Sequence, residues 1–317
     1  MVEKKLSIII PTFNSAKYIG ECLESLKKLD YEKSFSEILV IDGDSKDETA
    51  DVAKQKGATV YGSATRIIAA QRNFGAGMAK GDIFAFIDSD CVAPVNWLKV
   101  AIELLKREDV GAVGAEYALP NDVSWIEKTW DNNIEKCNGE VDWLPSGNLI
   151  VKREAFEKIG GFREDLITSE DVDFCERLRK AGYKIVSDNR LSVVHLGNPK
   201  TVKEFFIKEV WRGKGVVQRF FSNMPNIKIT KALGYSLFIL CVLISLFFGA
   251  IQGFLFNSWF LFNFSLIIIL LVPLFIATIK ALKVHRAVSI FKLGYLYLIY
   301  GIARAVNLLD YRNWKRV

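Results

Sequence analysis

The sequence predicts an α/β domain built on a mostly parallel sheet, followed by membrane-spanning helices. Three observations predict it. Short apolar runs alternate with helical patterns over residues 1 to about 115, the signature of parallel strands joined by covering helices. Residues suited to ligand binding recur just after the apolar runs, where such sheets bind ligands. Finally, no charged residue occurs from Ala232 to Ile279, and a spanning helix needs about 20 apolar residues.

The elements follow in order. Leu6–Pro11 reads as a strand. Ala16–Leu29 reads as a helix with Ile19, Leu23 and Leu26 on one face and Ser15 as its N-cap. Glu37–Asp42 is a strand, and Lys46–Lys56 a helix stopped at Gly57. Ala58–Tyr61, Ile67–Lys80 (stopped at Gly81) and Ile83–Asp88 read as strand, helix and strand. Residues 116–200 are less regular. Trp125, Trp130 and Trp143 fit either a substrate-facing loop region or simple packing. Asn148–Val151 is a strand, Glu154–Ile159 a helix stopped by Gly160–Gly161, and Asp171–Ala181 a helix with Ser169 as N-cap and Gly182 as stop. Lys184–Val186 and Ser192–Val194 read as short strands.

The uncharged stretch is long enough for two spans, with a break at Gly253–Ser258 and Trp259 at an interface. Lys228 and Lys231 precede the hairpin, and Lys280, Lys283 and Arg286 follow it. Positive residues favour the cytoplasmic side. The apolar run Leu6–Ile10 is too short for a signal peptide. The expectation is a multi-pass protein of the plasma membrane with a cytoplasmic N-terminal domain. Ala287–Leu309 carries Lys292 and Arg304, and a tail with Arg312, Lys315 and Arg316 follows; this favours an interfacial or re-entrant segment over a third span. The expected divisions are residues 1–199, a basic juxtamembrane segment 200–231, a hairpin 232–280, and an interfacial or third membrane segment 281–317.

Net charge is +6, and eight Lys or Arg against two Glu lie between Lys200 and Lys231. That strip suits anionic lipid headgroups or phosphates. No nucleic-acid module accompanies it, so nucleic acid is not an expected partner. Five scattered cysteines without a CxxC pair fit a reducing compartment without disulfides or a zinc site.

The segment IFAFIDSDC, residues 83–91, carries the most chemistry. Side chains alternate faces along a strand, so Asp88 and Asp90 are placed to point the same way where Ile83–Asp88 opens into a loop. Two carboxylates suit a divalent cation, and Mg²⁺ is held by one or two carboxylates plus substrate phosphates. An Asp-rich turn gives the same pattern.

Over residues 6 to about 215 the chain resembles the family 2 glycosyltransferases of the GT-A fold. The matching segments are SIIIPTFNSAKYIGECLESL, VIDGDSKDET, RNFGAGMAKGDIFAFIDSD, SGNLIVKREAFEKIGGF and SEDVDFCERLRKAGYKI. WRGKG and the C-terminal hairpin resemble membrane-anchored members that build lipid-linked glycans. The resemblance implies a GT-A catalytic domain, a UDP- or GDP-sugar donor, and Mn²⁺ or Mg²⁺ held by Asp88, Asp90 and His195. It implies Asp171 as general base with Glu170 beside it; acids favoured at a helix start explain Glu170, Asp171 and Asp173 as well. It places Pro11, Thr12, Asn14, Asp42, Asp44, Arg72, Asp88 and Ser89 about the nucleotide sugar, and Gly147, Asn148, Trp211, Arg212 and Lys214 on the acceptor side. The chain departs from the common Asp-Asp-Gly-Ser pattern, reading Asp42-Gly43-Asp44-Ser45, which leaves the base preference open. The expected reaction is inverting transfer to a hydroxyl of a lipid-linked glycan at the cytoplasmic face. A lipid-phosphate acceptor of polyprenyl type and a non-catalytic sugar-nucleotide-binding subunit are the alternatives.

Overall fold

The computed structural model describes residues 5–31, 36–134, 136–221, 227–284 and 289–309. These fall into two compact units, one within 1–121 and 136–198, the other within 122–135 and 199–317. The short stretch 122–135 therefore folds with the C-terminal helices. Arg286 and the basic tail 310–317 lie outside the described residues.

The first unit runs β1 (Leu6–Thr12), α1 (Ala16–Lys27), β2 (Ser36–Asp42), α2 (Thr49–Gln55), β3 (Thr59–Gly62), α3 (Ile68–Met78), β4 (Ile83–Ile87), β5 (Cys91–Val92), α4 (Trp97–Leu105) and β6 (Val110–Gly114). After α5 (Trp125–Asp131), which belongs to the second unit, come β7 (Gly139–Glu140), β8 (Asn148–Lys152), α6 (Arg153–Lys158), α7 (Glu170–Lys180), β9 (Lys184–Ser187) and β10 (Val194–His195). The main sheet is ordered β3-β2-β1-β4-β8-β6-β9-β7, and β5 and β10 form a separate antiparallel pair. Strands β3, β2, β1 and β4 are mutually parallel. Strand β8 runs antiparallel between β4 and β6.

Strands β1, β4, β6 and β8 are buried along their whole length, because both faces of the sheet are covered. Alternation divides each strand between two cores. Ile8, Ile10, Ala85 and Ile87 face one, with Trp97 and Leu23. Ile9, Phe84 and Phe86 face the other, with Phe156, Phe162 and Phe174. There Phe162 stacks on Phe174 with centroids 4.4 Å apart, beneath the start of α7.

Several local expectations change. Ser15 and Ser169 occupy N-cap positions, yet neither side chain caps its helix. Ser15 Oγ meets Ser89 Oγ instead, and Ser169 takes a left-handed φ of 66°. Gly57, Gly160, Gly161 and Gly182 do adopt positive φ after their helices. Gly81 has a different reason to be glycine. Helix α3 has already ended at Met78, and a Cβ at 81 would lie 2.7 Å from the Ser7 backbone nitrogen. Helix α4 and strand β6 went unassigned in the sequence, because Trp97–Gly114 carries few punctuating residues.

Asn148, expected against an acceptor, is fully buried. Its Nδ2 donates to the carbonyls of Ala115 and Leu191, both at 2.9 Å, and its Oδ1 accepts from Trp97 Nε1 at 3.0 Å. It ties β8 to α4 and to the chain beyond β6, with no face left for a ligand.

The second unit holds α5, α8 (Val202–Phe221), α9 (Ile227–Phe256), α10 (Phe260–Val284) and α11 (Ile290–Leu309). Two of its helices are long and apolar enough to cross a membrane, over Lys231–Phe256 and Phe260–Lys283. The break falls at Asn257–Trp259, with Asn257 at φ 51°. Helix α11 crosses both. Gly294 packs on Leu274, Gly301 on Tyr235 and Ile239, and Leu308 clusters with Leu233. At 1.5 Å per residue these points lie about 21, 26 and 34 Å along the helices from the α9–α10 turn. Trp130 packs on Phe205, Tyr297 and Tyr300, and Trp143 packs against the aromatic core of the first unit. Both are packing residues.

Replacing Asn148 with Ala strands two carbonyls and the Trp97 indole N–H. At about 1–3 kcal/mol for each stranded buried group, less what local water recovers, the full-length protein in detergent should lose on the order of 3 kcal/mol in denaturant unfolding. A loss under about 1 kcal/mol contradicts the purely structural role.

Candidate active site

The carboxyl ends of β1, β2 and β4 lie side by side on one edge of the sheet. The Thr12 carbonyl accepts the Gly43 N–H at 2.9 Å and Gln71 Nε2 at 3.4 Å. A Cβ at position 43 would lie 2.2 Å from Gln71 Nε2. The departure at Gly43 is thus matched to Gln71, whose amide fills the space a side chain would take. Asp42 is buried and accepts from the Ser45 N–H and hydroxyl. Asn14, at φ 49°, accepts the Lys46 N–H through Oδ1.

Pro11 is buried inside β1 and presents no surface to a ligand. Asp44 turns outward at φ 64° and pairs with Lys46 at 2.7 Å.

Arg72 dominates the next part of the edge. The sequence places it beside the donor, yet it is only 2% exposed. Its NH2 donates to Asp88 Oδ1 at 2.7 Å and its NH1 to Glu170 Oε1 at 2.9 Å. The same Glu170 oxygen accepts from Ser146 Oγ at 2.8 Å. The Arg72 guanidinium lies 5.7 Å from the Phe162 ring centroid. Burial works against its charge, and Asp88 and Glu170 more than offset this. Arg72 is thus a buried bridge rather than a donor-facing cation.

This also corrects Asp88. Among the described residues, the side chains able to hold a cation together are Asp90, Cys91 and His195, with ligand atoms within 4.8 Å of one another. Asp88 stands outside that group, and its Oδ1 accepts from Arg72 instead. Asp90 Oδ2 lies 3.6 Å from His195 Nε2. The antiparallel pairing of β5 with β10 sets His195 opposite Cys91. The Leu196 N–H donates to the Asp90 carbonyl at 2.8 Å. A Cβ at 197 would lie 2.0 Å from Asp90 Oδ2, so a side chain there would displace the Asp90 carboxylate. Burial, with the charges of Asp88 and Asp90, pushes the Cys91 thiol well above its usual range. The Asp90 carboxylate and the His195 imidazole, with the Cys91 sulfur in reach, fit a divalent cation whose remaining positions would be filled by phosphate oxygens and water.

Helix α7 begins at Glu170 and carries Asp171 in its first turn. Asp171 Oδ1 accepts the Val172 N–H at 2.7 Å. Burial, followed by the charge of Glu170, pushes its carboxyl up to about 7. Asp173, the third acid of the trio, is fully buried and pairs with Arg177 at 2.8 Å; it is structural.

Gly147 approaches Asp88 and Tyr117 rather than an open turn. A Cβ there would lie 2.0 Å from Asp88 Oδ2 and 2.4 Å from the Tyr117 hydroxyl. Ser89 is buried against Ser15. Trp211, Arg212 and Lys214 belong to the other unit, on α8. Their backbone N–H groups are used inside the helix, Arg212 pairs with Glu209 at 2.8 Å, and a Cβ at Gly213 would meet Asn307. WRGKG is thus a helix-packing segment, not an exposed phosphate turn. The sequence reading missed Tyr117, Ser146 and Gln71. Tyr117 and Gln71 lie in no quoted motif, and Ser146 opens the segment SGNLIVKREAFEKIGGF without being singled out.

The family model described as "Glycosyl transferase family 2" matches residues 7–163, about half of the chain. The chain belongs to this glycosyltransferase family. Glycosyltransferase AglE of Haloferax volcanii is 29% identical over 247 residues, covering 74% of this chain and 80% of that protein. A Methanococcus voltae protein named dolichyl N-acetyl-alpha-D-glucosaminyl phosphate 3-beta-D-2,3-diacetamido-2,3-dideoxy-beta-D-glucuronosyltransferase is 28% identical over 242 residues, covering 68% of this chain and 74% of that one. Among solved structures, mannosyltransferase PcManGT from Pyrobaculum calidifontis, in complex with GDP-Man and Mn²⁺, aligns with a TM-score of 0.64 at 20% identity, covering 98% of this chain and 88% of that one. The glycosyltransferase family 2 chain thus has the GT-A fold read from its motifs.

A carboxyl raised in the folded state favours its protonated form. Its contribution is complete below the ordinary carboxylate range and is lost as pH rises toward about 7. Asp171→Asn removes that loss. Its melting temperature relative to the parent chain should rise from pH 5 to pH 8; a difference that stays flat contradicts the raised carboxyl.

Proposed function

We propose that this glycosyltransferase moves a sugar, with inversion, from a UDP- or GDP-sugar to a hydroxyl of a lipid-linked glycan at the cytoplasmic face of a membrane. The observation that carries this reading is the contrast between the two acids at the start of α7. Glu170 is held by Arg72 and Ser146. Asp171 makes no side-chain hydrogen bond to another side chain among the described residues, and its carboxyl is raised to about 7. A carboxylate poised near neutral pH suits a general base.

In the reaction the acceptor hydroxyl donates to Asp171. Its oxygen forms a bond to the anomeric carbon as the bond from that carbon to the diphosphate oxygen breaks on the opposite face. The proton passes to Asp171, and the nucleoside diphosphate leaves. Asp90 and His195 would hold a divalent cation, which would supply Lewis-acid stabilisation of that leaving group. The neighbour that binds GDP-Man and Mn²⁺ supports such a cofactor, with Mn²⁺ or Mg²⁺ both compatible with the ligands. Thr12, Asn14 and Asp42, at the ends of β1 and β2, are the nucleotide side of this reading. The Methanococcus voltae relative, whose name gives a dolichyl-linked sugar acceptor, supports a lipid-linked substrate.

Two helices of spanning length, with Lys231, Lys280 and Lys283 together at one end of the hairpin, support a cytoplasmic catalytic unit. Helix α11 crosses them about 21–34 Å from their turn, close to the ~30 Å thickness of the hydrocarbon core. That level suits an oblique interfacial helix rather than a third span. On α8, exposed Ile207 and Trp211 suit contact with lipid.

Asp171→Asn should lower kcat by about 10²–10⁴-fold, with nucleoside diphosphate binding retained in a thermal-shift titration. In the parent chain kcat should fall as pH drops below about 7, since the protonated acid cannot accept the hydroxyl proton. Turnover of Asp171→Asn near that of the parent chain contradicts the hydroxyl-acceptor reading, and activity with a polyprenyl phosphate then identifies the already ionised acceptor.

A further inference from the structure

We propose that Tyr117 is a positioning residue that ties the Asp90–His195 pair to the carboxylates gathered by Arg72. It rests on the reading that Asp90 and His195 hold a divalent cation. Tyr117 belongs to no recognised motif of the sequence, yet it touches both halves of the site.

Its carbonyl and the backbone of the next residue are both held. Lys136 Nζ donates to the Tyr117 carbonyl at 2.8 Å. The next residue, Ala118, donates to the Val193 carbonyl at 2.8 Å and accepts the His195 N–H at 3.1 Å. That bridge sets Tyr117 in register with β10. Its ring stands edge-on to the His195 imidazole, with centroids 4.8 Å apart at 60°. Its hydroxyl points the other way and lies 3.4 Å from Asp88 Oδ2. This is longer than an ordinary O–H···O bond, and a shift of a few tenths of an ångström makes it one. Gly147 leaves the space in which Asp88 and the hydroxyl meet, since a Cβ would lie within 2.4 Å of both.

One continuous path results. Asp90 faces His195, His195 packs on the Tyr117 ring, and the Tyr117 hydroxyl meets Asp88. Asp88 holds Arg72, and Arg72 holds Glu170 at the start of the helix that carries Asp171. The ring constrains the imidazole, and the hydroxyl constrains the carboxylate that aligns Arg72. Partners that orient a metal-ligating histidine matter roughly 10–100-fold to metal affinity or activity. The two parts of one side chain should therefore separate by substitution. Tyr117→Phe keeps the ring against His195 and loses the contact with Asp88. Tyr117→Leu loses both.

The test is direct Mn²⁺ titration of the full chain, following the paramagnetic resonance of free Mn²⁺, beside steady-state transfer kinetics and thermal melting. Tyr117→Phe should bind Mn²⁺ within about twofold of the parent, while its kcat falls roughly tenfold at unchanged donor KM. Tyr117→Leu should weaken Mn²⁺ binding roughly tenfold or more; Tyr117→Met, of similar volume to the ring, replaces it if that variant does not fold. A folded ring-less variant with parental Mn²⁺ affinity overturns the proposal. So does loss of Mn²⁺ binding in Tyr117→Phe equal to that in the ring-less variant, or loss that merely tracks the melting temperature. If the parent chain itself takes up no Mn²⁺, the cation reading fails and takes this proposal with it, an outcome distinct from failure of Tyr117 alone.

Discussion

The site depends on one buried cation. Arg72 lies between Asp88, at the end of β4, and Glu170, at the start of α7. These residues come from three separate parts of the sequence, and each alone is expensive to bury. Removing one partner of a buried, hydrogen-bonded charge group costs about 3–5 kcal/mol. The guanidinium offers a planar fork of donors, so it can hold two carboxylates at once from fixed directions. Ser146 adds a further bond to Glu170. The rigidity of the β4 edge is thereby passed to the first turn of α7.

That arrangement divides labour among the acids. Asp88 and Glu170 neutralise Arg72 and are occupied by it. Asp90 lies against the imidazole of His195, and Asp171 is the acid that the proposed reaction assigns to the acceptor hydroxyl. Acids of the same two types thus acquire different chemistry from their surroundings. Glu170 also raises its neighbour: a fixed negative charge beside a buried carboxyl favours the neutral form of that carboxyl. Ser169 takes a left-handed backbone conformation, uncommon outside glycine, just ahead of these acids. Local strain of this kind occurs where surrounding contacts over-determine the chain.

The helical unit relies on a comparable group. Glu209 of α8 is buried and accepts from Arg304 of α11 at 2.7 Å and from Arg212 at 2.8 Å. Gly213 and Asn307 bring the two helices close, and Asn307 Nδ2 donates to the Val210 carbonyl at 2.7 Å. This accounts for an arginine inside an apolar segment: Arg304 is paired, not exposed to lipid. It also explains why WRGKG, though basic and glycine-containing, serves packing.

Much of the fold was legible in the sequence because its signals are local. Strand β1, strand β4 and the glycine stops at 57, 160 and 182 follow from alternation, burial and backbone freedom along short stretches. The uncharged hairpin follows from length and composition alone. Asp90, His195 and Asp171 were legible as types of residue at strand ends and a helix start. What the sequence could not supply was pairing across distance. Asp88 and Asp90 are one residue apart and look equivalent, yet Arg72 claims only the first. Asn148 looks like a ligand contact until Trp97, Ala115 and Leu191 converge on it. Tyr117 has no motif and becomes visible only when β10 brings His195 against its ring. Composition and periodicity determine which segments form and which faces they bury; the side chain that neutralises a given carboxylate is decided by tertiary packing, because charge and hydrogen bonding act through space.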